Sequence, residues 1–311
     1  MNTIQHIVKA LGRRLARCLW LLVLLCFYAC EKDIDIAIKP AVTQLVVEAY
    51  INNEIPQYNY VILSRSQNYF APDFRSIPVS DARVTITEGQ QNSDGSYTWN
   101  PATTTILEEA DEGSAPSAFT RGIYFDKKLI SDTAHALKGV IGKSYLLQIE
   151  AEGNQYSAVA TLVVPVIVDS LTQGYPFVND IGDSLFRITN HYKDPDTLGN
   201  VQFYMWRWST VKNNFGWGGL TRSRTLGIDD YTNGEYIQLT HPQGFSKTDT
   251  VNYFMASVTR DVFKFWDSFN KARENVGPFS TPVNLVTNIS GTNVTGCFSG
   301  FAISSKTIVI R

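Results

Sequence analysis

The chain has 311 residues, 44% hydrophobic and 12% aromatic, with 27 Lys and Arg against 29 Asp and Glu. That apolar content excludes a disordered chain. The near balance of charge leaves no clustered basic surface of the kind that holds nucleic acid.

The first predicted element is a leader. Lys9, Arg13, Arg14 and Arg17 precede an uncharged run, Cys18 to Ala29. Its 12 residues fall short of the roughly 20 that a helix needs to cross a hydrocarbon core. Basic residues, a short apolar run and a small residue before the cut describe a secretory signal peptide over residues 1–29. Phe27-Tyr28-Ala29-Cys30 resembles a bacterial lipobox, with Phe27 and Tyr28 bulkier than the usual pattern. The resemblance implies that Cys30 becomes the lipidated first residue of the mature chain. An uncleaved anchor helix and a plain signal peptide are the alternatives. Each buried methylene of an acyl chain contributes about 0.8 kcal/mol, so one chain holds marginally and two or three hold durably.

Glu31-Lys32-Asp33 and Asp35 follow the cysteine. This acid-rich patch resembles the Bacteroidota lipoprotein export signal, which implies the outer membrane with the protein facing the cell exterior; an ordinary solvated tether is the alternative. Residues 30–42 read as that lipidated tether. Without the leader the acids exceed the bases by about six, so the anchor rather than a basic patch must hold the membrane. Cys18 and Cys26 leave with the leader and Cys30 carries lipid. The remaining Cys297 has no intramolecular disulfide partner and reads as a small buried residue.

Strand signals then recur. Leu45 to Ile51 and Tyr60 to Arg65 are the first two. In Ala82 to Glu88, Val84 and Ile86 point one way while Arg83, Thr85 and Thr87 point the other, the mark of a half-buried strand. Asp94-Gly95 marks a hairpin turn before Ser96-Tyr97-Thr98-Trp99. Tyr145, Leu147 and Ile149 share one face, Glu152-Gly153-Asn154 turns the chain, and Tyr156 to Val164 returns it. Abundant Tyr and Phe, with little Met, suit strands. With no convincing helix, residues 43–164 predict an immunoglobulin- or fibronectin-like β-sandwich, closed by Pro165.

Residues 165–311 predict a second β-rich domain. Leu185 to Thr189, Val201 to Ser209, Glu235 to Thr240, Val251 to Thr259 and Lys306 to Ile310 qualify as strands. Residues 261–276 are the exception. Val262, Phe265, Trp266, Phe269 and Val276 fall on one face at helical spacing, with Lys264, Asp267, Asn270, Lys271 and Glu274 opposite. Thr259 or Asp261 can cap the start and Gly277-Pro278 ends it. The fold class is therefore mainly β with one amphipathic helix.

Three stretches carry a wider resemblance. The first is Leu45 to Ala49, Val61 to Ser66 and Val79 to Ile86. The second is Asp194-Pro195-Asp196 with Asn200 to Tyr204. The third is Phe279 to Ile289 with Gly296 and Phe298. In this order they resemble a Bacteroidota outer-membrane lipoprotein family known only as a domain of unknown function. Its members are often encoded beside TonB-dependent transporters. The resemblance implies an accessory role with such a transporter as partner, and carries over no catalytic residue.

The residues themselves offer little chemistry. His135, His191 and His241 are far apart, and no zinc, nucleophile-elbow or phosphate-loop motif is present. Asp194-Pro195-Asp196-Thr197-Leu198-Gly199-Asn200 matches the start of a calcium loop at its first, third and sixth places. It puts Leu198 at the fifth and Met205 at the twelfth, so it reads as a turn and no metal is assigned. Tyr204, Trp206 and Trp208 alternate onto one strand face, read first as core. Trp217, in Phe215-Gly216-Trp217-Gly218-Gly219, offers a glycan or peptide platform, with Trp206 and Trp208 as further candidates. Asp132-Thr133-Ala134, Asp169-Ser170-Leu171, Asp183-Ser184-Leu185, Asp196-Thr197-Leu198 and Asp249-Thr250-Val251 resemble the Bacteroidota O-glycosylation signal, which implies Thr133, Ser170, Ser184, Thr197 and Thr250 as acceptors. The expected role is non-enzymatic, with no cofactor beyond the lipid on Cys30. A structural or adhesive surface protein and a surface glycan or peptide hydrolase with an unrecognised carboxylate site are the alternatives.

Overall fold

Strict alternation makes β1 (Leu45–Asn52) a strand: Leu45, Val47, Ala49 and Ile51 are buried on one face, and Tyr50 is buried on the other. The computed structural model describes residues 42–67, 77–111, 121–209, 221–230, 232–275 and 283–311, with the backbone alone at 206–209 and 221–226. The chain continues through β2 (Tyr60–Arg65), β3 (Arg83–Gln91), β4 (Tyr97–Trp99), β5 (Thr105–Glu109), β6 (Ile123–Phe125), a one-turn helix α1 (Lys128–Ser131), β7 (Ser144–Ala151) and β8 (Asn154–Thr161). It then forms β9 (Ser170–Val178), β10 (Ser184–Lys193), β11 (Val201–Ser209), β12 (Thr221–Ile228), β13 (Tyr236–Thr240), β14 (Thr250–Val258), α2 (Arg260–Glu274) and β15 (Val294–Val309).

One 12-stranded sheet runs β12-β11-β14-β15-β1-β2-β6-β5-β3-β7-β8, with β4 on β3. A second sheet has the order β13-β10-β9. β15 is the hinge of this arrangement. Its residues 294–301 run parallel to β1, and its residues 302–309 run antiparallel to β14. Residues Val42–Arg311 form one compact unit. The stretch that breaks at Pro165 thus separates two groups of strands in sequence, while β15 belongs to both.

The first core lies inside the curl of β15-β1-β2-β6-β5-β3-β7-β8. Val47, Val61, Leu63, Val84, Ile86, Leu147 and Phe298 are among the residues that fill it. The ends of the curl meet, since Ser157 bridges to Ser290 and Gly300 lies against Thr161. The outer face of β3 is covered as well, although alternation alone predicts it to be solvated. Thr85 and Thr87, expected outside, are 7% and 6% exposed. The β3–β5 connection covers Thr87, whose hydroxyl lies 2.9 Å from that of Thr104.

β11 and β14 are buried on both faces, as their near-continuous apolar runs require. On one face Val201, Phe203, Met205, Phe254, Ala256 and Val258 pack under α2. The helix begins at Arg260 rather than Asp261, and Val262 and Phe265 are its buried apolar residues, each worth roughly 1.5–3 kcal/mol of burial. Trp266 stacks on Tyr50 at 6.4 Å and its indole N–H donates to Ser299 Oγ at 3.1 Å. Thr259 stands at the N-cap without a side-chain bond, and Asp261 supplies the negative charge of the first turn. Val276 and Gly277-Pro278 lie outside the described residues. On the other face Val251, Tyr253 and Met255 meet Ile188 and Tyr192 of the small sheet.

Turn chemistry explains most boundaries. Gly95 and Gly153 adopt φ of 84° and 76° in the two predicted hairpin turns. Gly296 has φ 129°, and a Cβ there would lie 1.9 Å from Val47 O on the parallel partner strand. Gly296→Ala should therefore destabilise the protein by roughly 3 kcal/mol or more, through strain and displaced β1 pairing. Urea unfolding measures this, and an unchanged midpoint would contradict the close approach.

Candidate functional site

The alternation that sends Val201, Phe203 and Met205 of β11 toward α2 sends Gln202 and Tyr204 the other way. There they meet polar residues from the small sheet. Asn190 and Tyr192 come from β10, Asp194 and His241 directly follow β10 and β13, and Tyr253 comes from β14. With Asp229, which follows β12, all are at most 4% exposed. A polar seam this deeply buried between two sheets must satisfy its groups internally.

The imidazole end does so for all but the Tyr253 hydroxyl. His241 Nε2 donates to Asn190 Oδ1 at 3.2 Å, and the Asn190 amide reaches the Met255 sulfur at 3.9 Å. The His241 ring meets Tyr204 edge-on at 5.6 Å and Tyr253 at 5.0 Å. The Tyr192 and Tyr204 hydroxyls lie 3.1 Å apart. Burial pushes His241 down to about 4 and raises Tyr192, Tyr204 and Tyr253. At neutral pH the imidazole is therefore uncharged and the phenols keep their protons.

The carboxylate end is built from two turns. Residues 194–200 link β10 to β11, as the turn reading of that stretch expects. Residues 229–235 link β12 to β13. Asp229 Oδ2 accepts the Gly199 and Asn200 N–H groups at 2.7 and 2.9 Å, so its carboxylate ties the first turn to the second. Asp194 answers with a long 3.4 Å bond from Gly234 N–H, while its own N–H donates to Glu235 O at 2.9 Å. Burial first, and then the charges of Asp229 and Asp196, hold the Asp194 carboxyl above the usual range. Four buried polar atoms find no partner among the described residues: Gln202 Nε2, Asp229 Oδ1, Asn233 Oδ1 and Tyr253 OH. Among these residues no three His, Cys, Asp or Glu side chains are placed to share a metal ion.

The residues singled out by sequence are dispersed. Cys30 and Trp217 lie outside the described residues, and only the backbone of Trp206 and Trp208 is described, in register with Tyr253 and Val251. His135 pairs with Asp132 at 2.8 Å on the surface, and His191 lies 2.7 Å from Thr172 Oγ1. His241 alone of the three histidines enters the seam. Cys297 is buried and its thiol is pushed up to about 12, which leaves it an inert core group. Thr133, Ser170, Ser184 and Thr197 are exposed; Thr250 is half-buried in β14. Among the described residues no helix is long and apolar enough to cross a membrane.

Sequence reasoning missed the seam because no motif spells it. The available signal was the inward alternation of Gln202 and Tyr204, opposite an apolar face of the same strand. A pH dependence follows from His241. The unfolded chain takes up this proton near 6.5, the folded chain only near 4. Stability is therefore full above about pH 6.5 and falls as pH drops toward 4, by roughly 3 kcal/mol from this group. His241→Gln should flatten that part of the stability–pH curve; an unaltered curve would show that other groups cause it.

No curated protein matches the chain. Residues 31–307 match a family model described as "Domain of unknown function (DUF4249)", a span that includes all of β1 to β14 and all but the last two residues of β15. The chain belongs to this family.

Proposed function

We propose that the protein is a surface-exposed outer-membrane lipoprotein, held by lipid on Cys30, that serves as a non-enzymatic binding or accessory component of a TonB-dependent nutrient-uptake system. The observation that carries the reading is the Ala29-Cys30 junction between an apolar leader and an acidic tether. One fact supports it. The family match begins at residue 31, directly after that cysteine.

The accessory role rests on the sequence resemblance to lipoproteins encoded beside such transporters. What supports binding over turnover is the state of the seam, whose imidazole and phenols are held in their uncharged forms by burial. Trp217 remains the proposed contact for a glycan or peptide ligand or for the partner itself.

Two measurements test this. Labelled palmitate should enter the wild-type chain and not Cys30→Ala, which should leave the membrane fraction; equal labelling of both would remove the anchor. A mild-detergent pull-down from native membranes should bring down a TonB-dependent transporter, and Trp217→Ala should weaken that recovery about tenfold, the loss of one aromatic anchor. Recovery of host or matrix proteins without a transporter would favour the adhesive alternative, and turnover of a glycan or peptide panel the hydrolase.

A further inference from the structure

The face of the small sheet turned away from the seam is open. Alternation along β10 buries Ile188, Asn190 and Tyr192 and turns Arg187, Thr189, His191 and Lys193 outward. Strand register sets their neighbours. Thr189 lies between Thr172 of β9 and Thr240 of β13, His191 pairs with Gln238, and Lys193 pairs with Tyr236. These groups are already tied to one another. The Thr189 and Thr240 hydroxyls are 2.7 Å apart, and Thr172 Oγ1 lies 2.7 Å from His191 Nε2. The His191 and Tyr236 rings lie 6.4 Å apart, inclined by 33°, and Tyr236 is 52% exposed. Toward the other end of β10 the Arg187 guanidinium rests over the Phe177 ring at 4.2 Å. None of the three strands carries an Asp or a Glu, although the chain has 29 of them. Asp169, Asp183, Asp194 and Glu235 stand just beyond the strand ends, with Asp194 buried on the seam side. Neither Arg187 nor Lys193 forms an ion pair among the described residues.

We propose that this face binds an anionic glycan, a chain whose sugars carry carboxylate or sulfate groups, laid along β10 between Arg187 and Lys193. Charge complementarity selects the sign. The two cations stand roughly 20 Å apart on an extended strand, with no carboxylate between them. Bonds from a guanidinium or an ammonium to a ligand oxyanion are roughly twice as strong as neutral ones. The groups between the cations select a sugar. A protein partner buries an apolar centre, whereas the centre here is the row of three threonines with His191 and Gln238. Hydroxyl, imidazole and amide groups exchange hydrogen bonds with sugar hydroxyls. The exposed Tyr236 ring offers a flat apolar surface to the C–H face of a pyranose. The contacts within the row hold its side chains in place before a ligand arrives, so little rotamer freedom is lost on binding. Packing of the opposite face of this sheet on Val251, Tyr253 and Met255 keeps the platform rigid. Binding here requires neither Trp217, nor the lipid on Cys30, nor a transporter partner.

The test uses the full chain in detergent, with polygalacturonate as the carboxylated probe, dextran sulfate as the sulfated probe and neutral dextran as the control. Calorimetry and affinity electrophoresis are the readouts. At least one charged polymer should bind, about tenfold or more tightly than neutral dextran, and more weakly as salt rises. Which polymer binds distinguishes carboxylate from sulfate. The double variant Arg187→Gln, Lys193→Gln should lose about tenfold or more in affinity. Tyr236→Ala should lose about tenfold, while Tyr236→Phe, which keeps the ring, should lose little. Lys138→Gln removes an exposed cation from the loop before β7 and should change nothing. These are surface changes, and an unaltered Tm checks that each variant folds. Binding of neither charged polymer would overturn the proposal, as would full binding by the folded double variant. Equal binding of polyglutamate would overturn it too, and would make an acidic protein the partner.

Discussion

The parallel ladder between β1 and the first half of β15 is the constraint on which the rest depends. Parallel strands need a long connection, and here that connection is almost the whole chain. The pairing brings Leu45 to Asn52 beside Val294 to Phe301, and the second half of the same strand then pairs with β14. One 16-residue strand thus closes the first core with Phe298 and floors the second with Phe301 and Ile303. The backbones approach so closely at Gly296 that only a residue without Cβ fits.

From that sheet the position of the seam follows. β11 and β14 carry α2 on one face, so their other face must be covered too, and the small sheet covers it. The cover is not purely apolar. Val251 and Met255 alternate with polar partners, and His241, Tyr204 and Tyr192 are held uncharged by the same burial. Satisfied polar groups at an internal interface fix one register of sheet on sheet, where an all-apolar contact would tolerate sliding. The Tyr253 hydroxyl, Gln202 Nε2, Asp229 Oδ1 and Asn233 Oδ1 depart from that rule, with no partner among the described residues.

Much of this was legible in residue order. Period-two alternation located β2 and β11 with the bounds observed, and the 3.6-residue period located α2 to within one residue at its start. What escaped had physical reasons. β9 has one face exposed along its whole length, and Gly174 and Pro176 interrupt its apolar pattern. The first half of β15 carries Gly296, Ser299 and Gly300, small residues chosen for close approach rather than for strand propensity. α1 is a single turn, too short to display a period. The seam was hidden because burial of Asn190, Asp229 and His241 depends on the small sheet packing against the large one, and neighbours along the chain do not announce it.

Native-state hydrogen exchange in increasing urea tests the shared strand most directly. If β15 binds both strand groups into one body, amides of Leu147 in β7 and Phe254 in β14 should open with the same free energy and the same urea dependence. Two separate opening energies, with β7 exchanging while β14 stays protected, would contradict a single structure joined through its last strand.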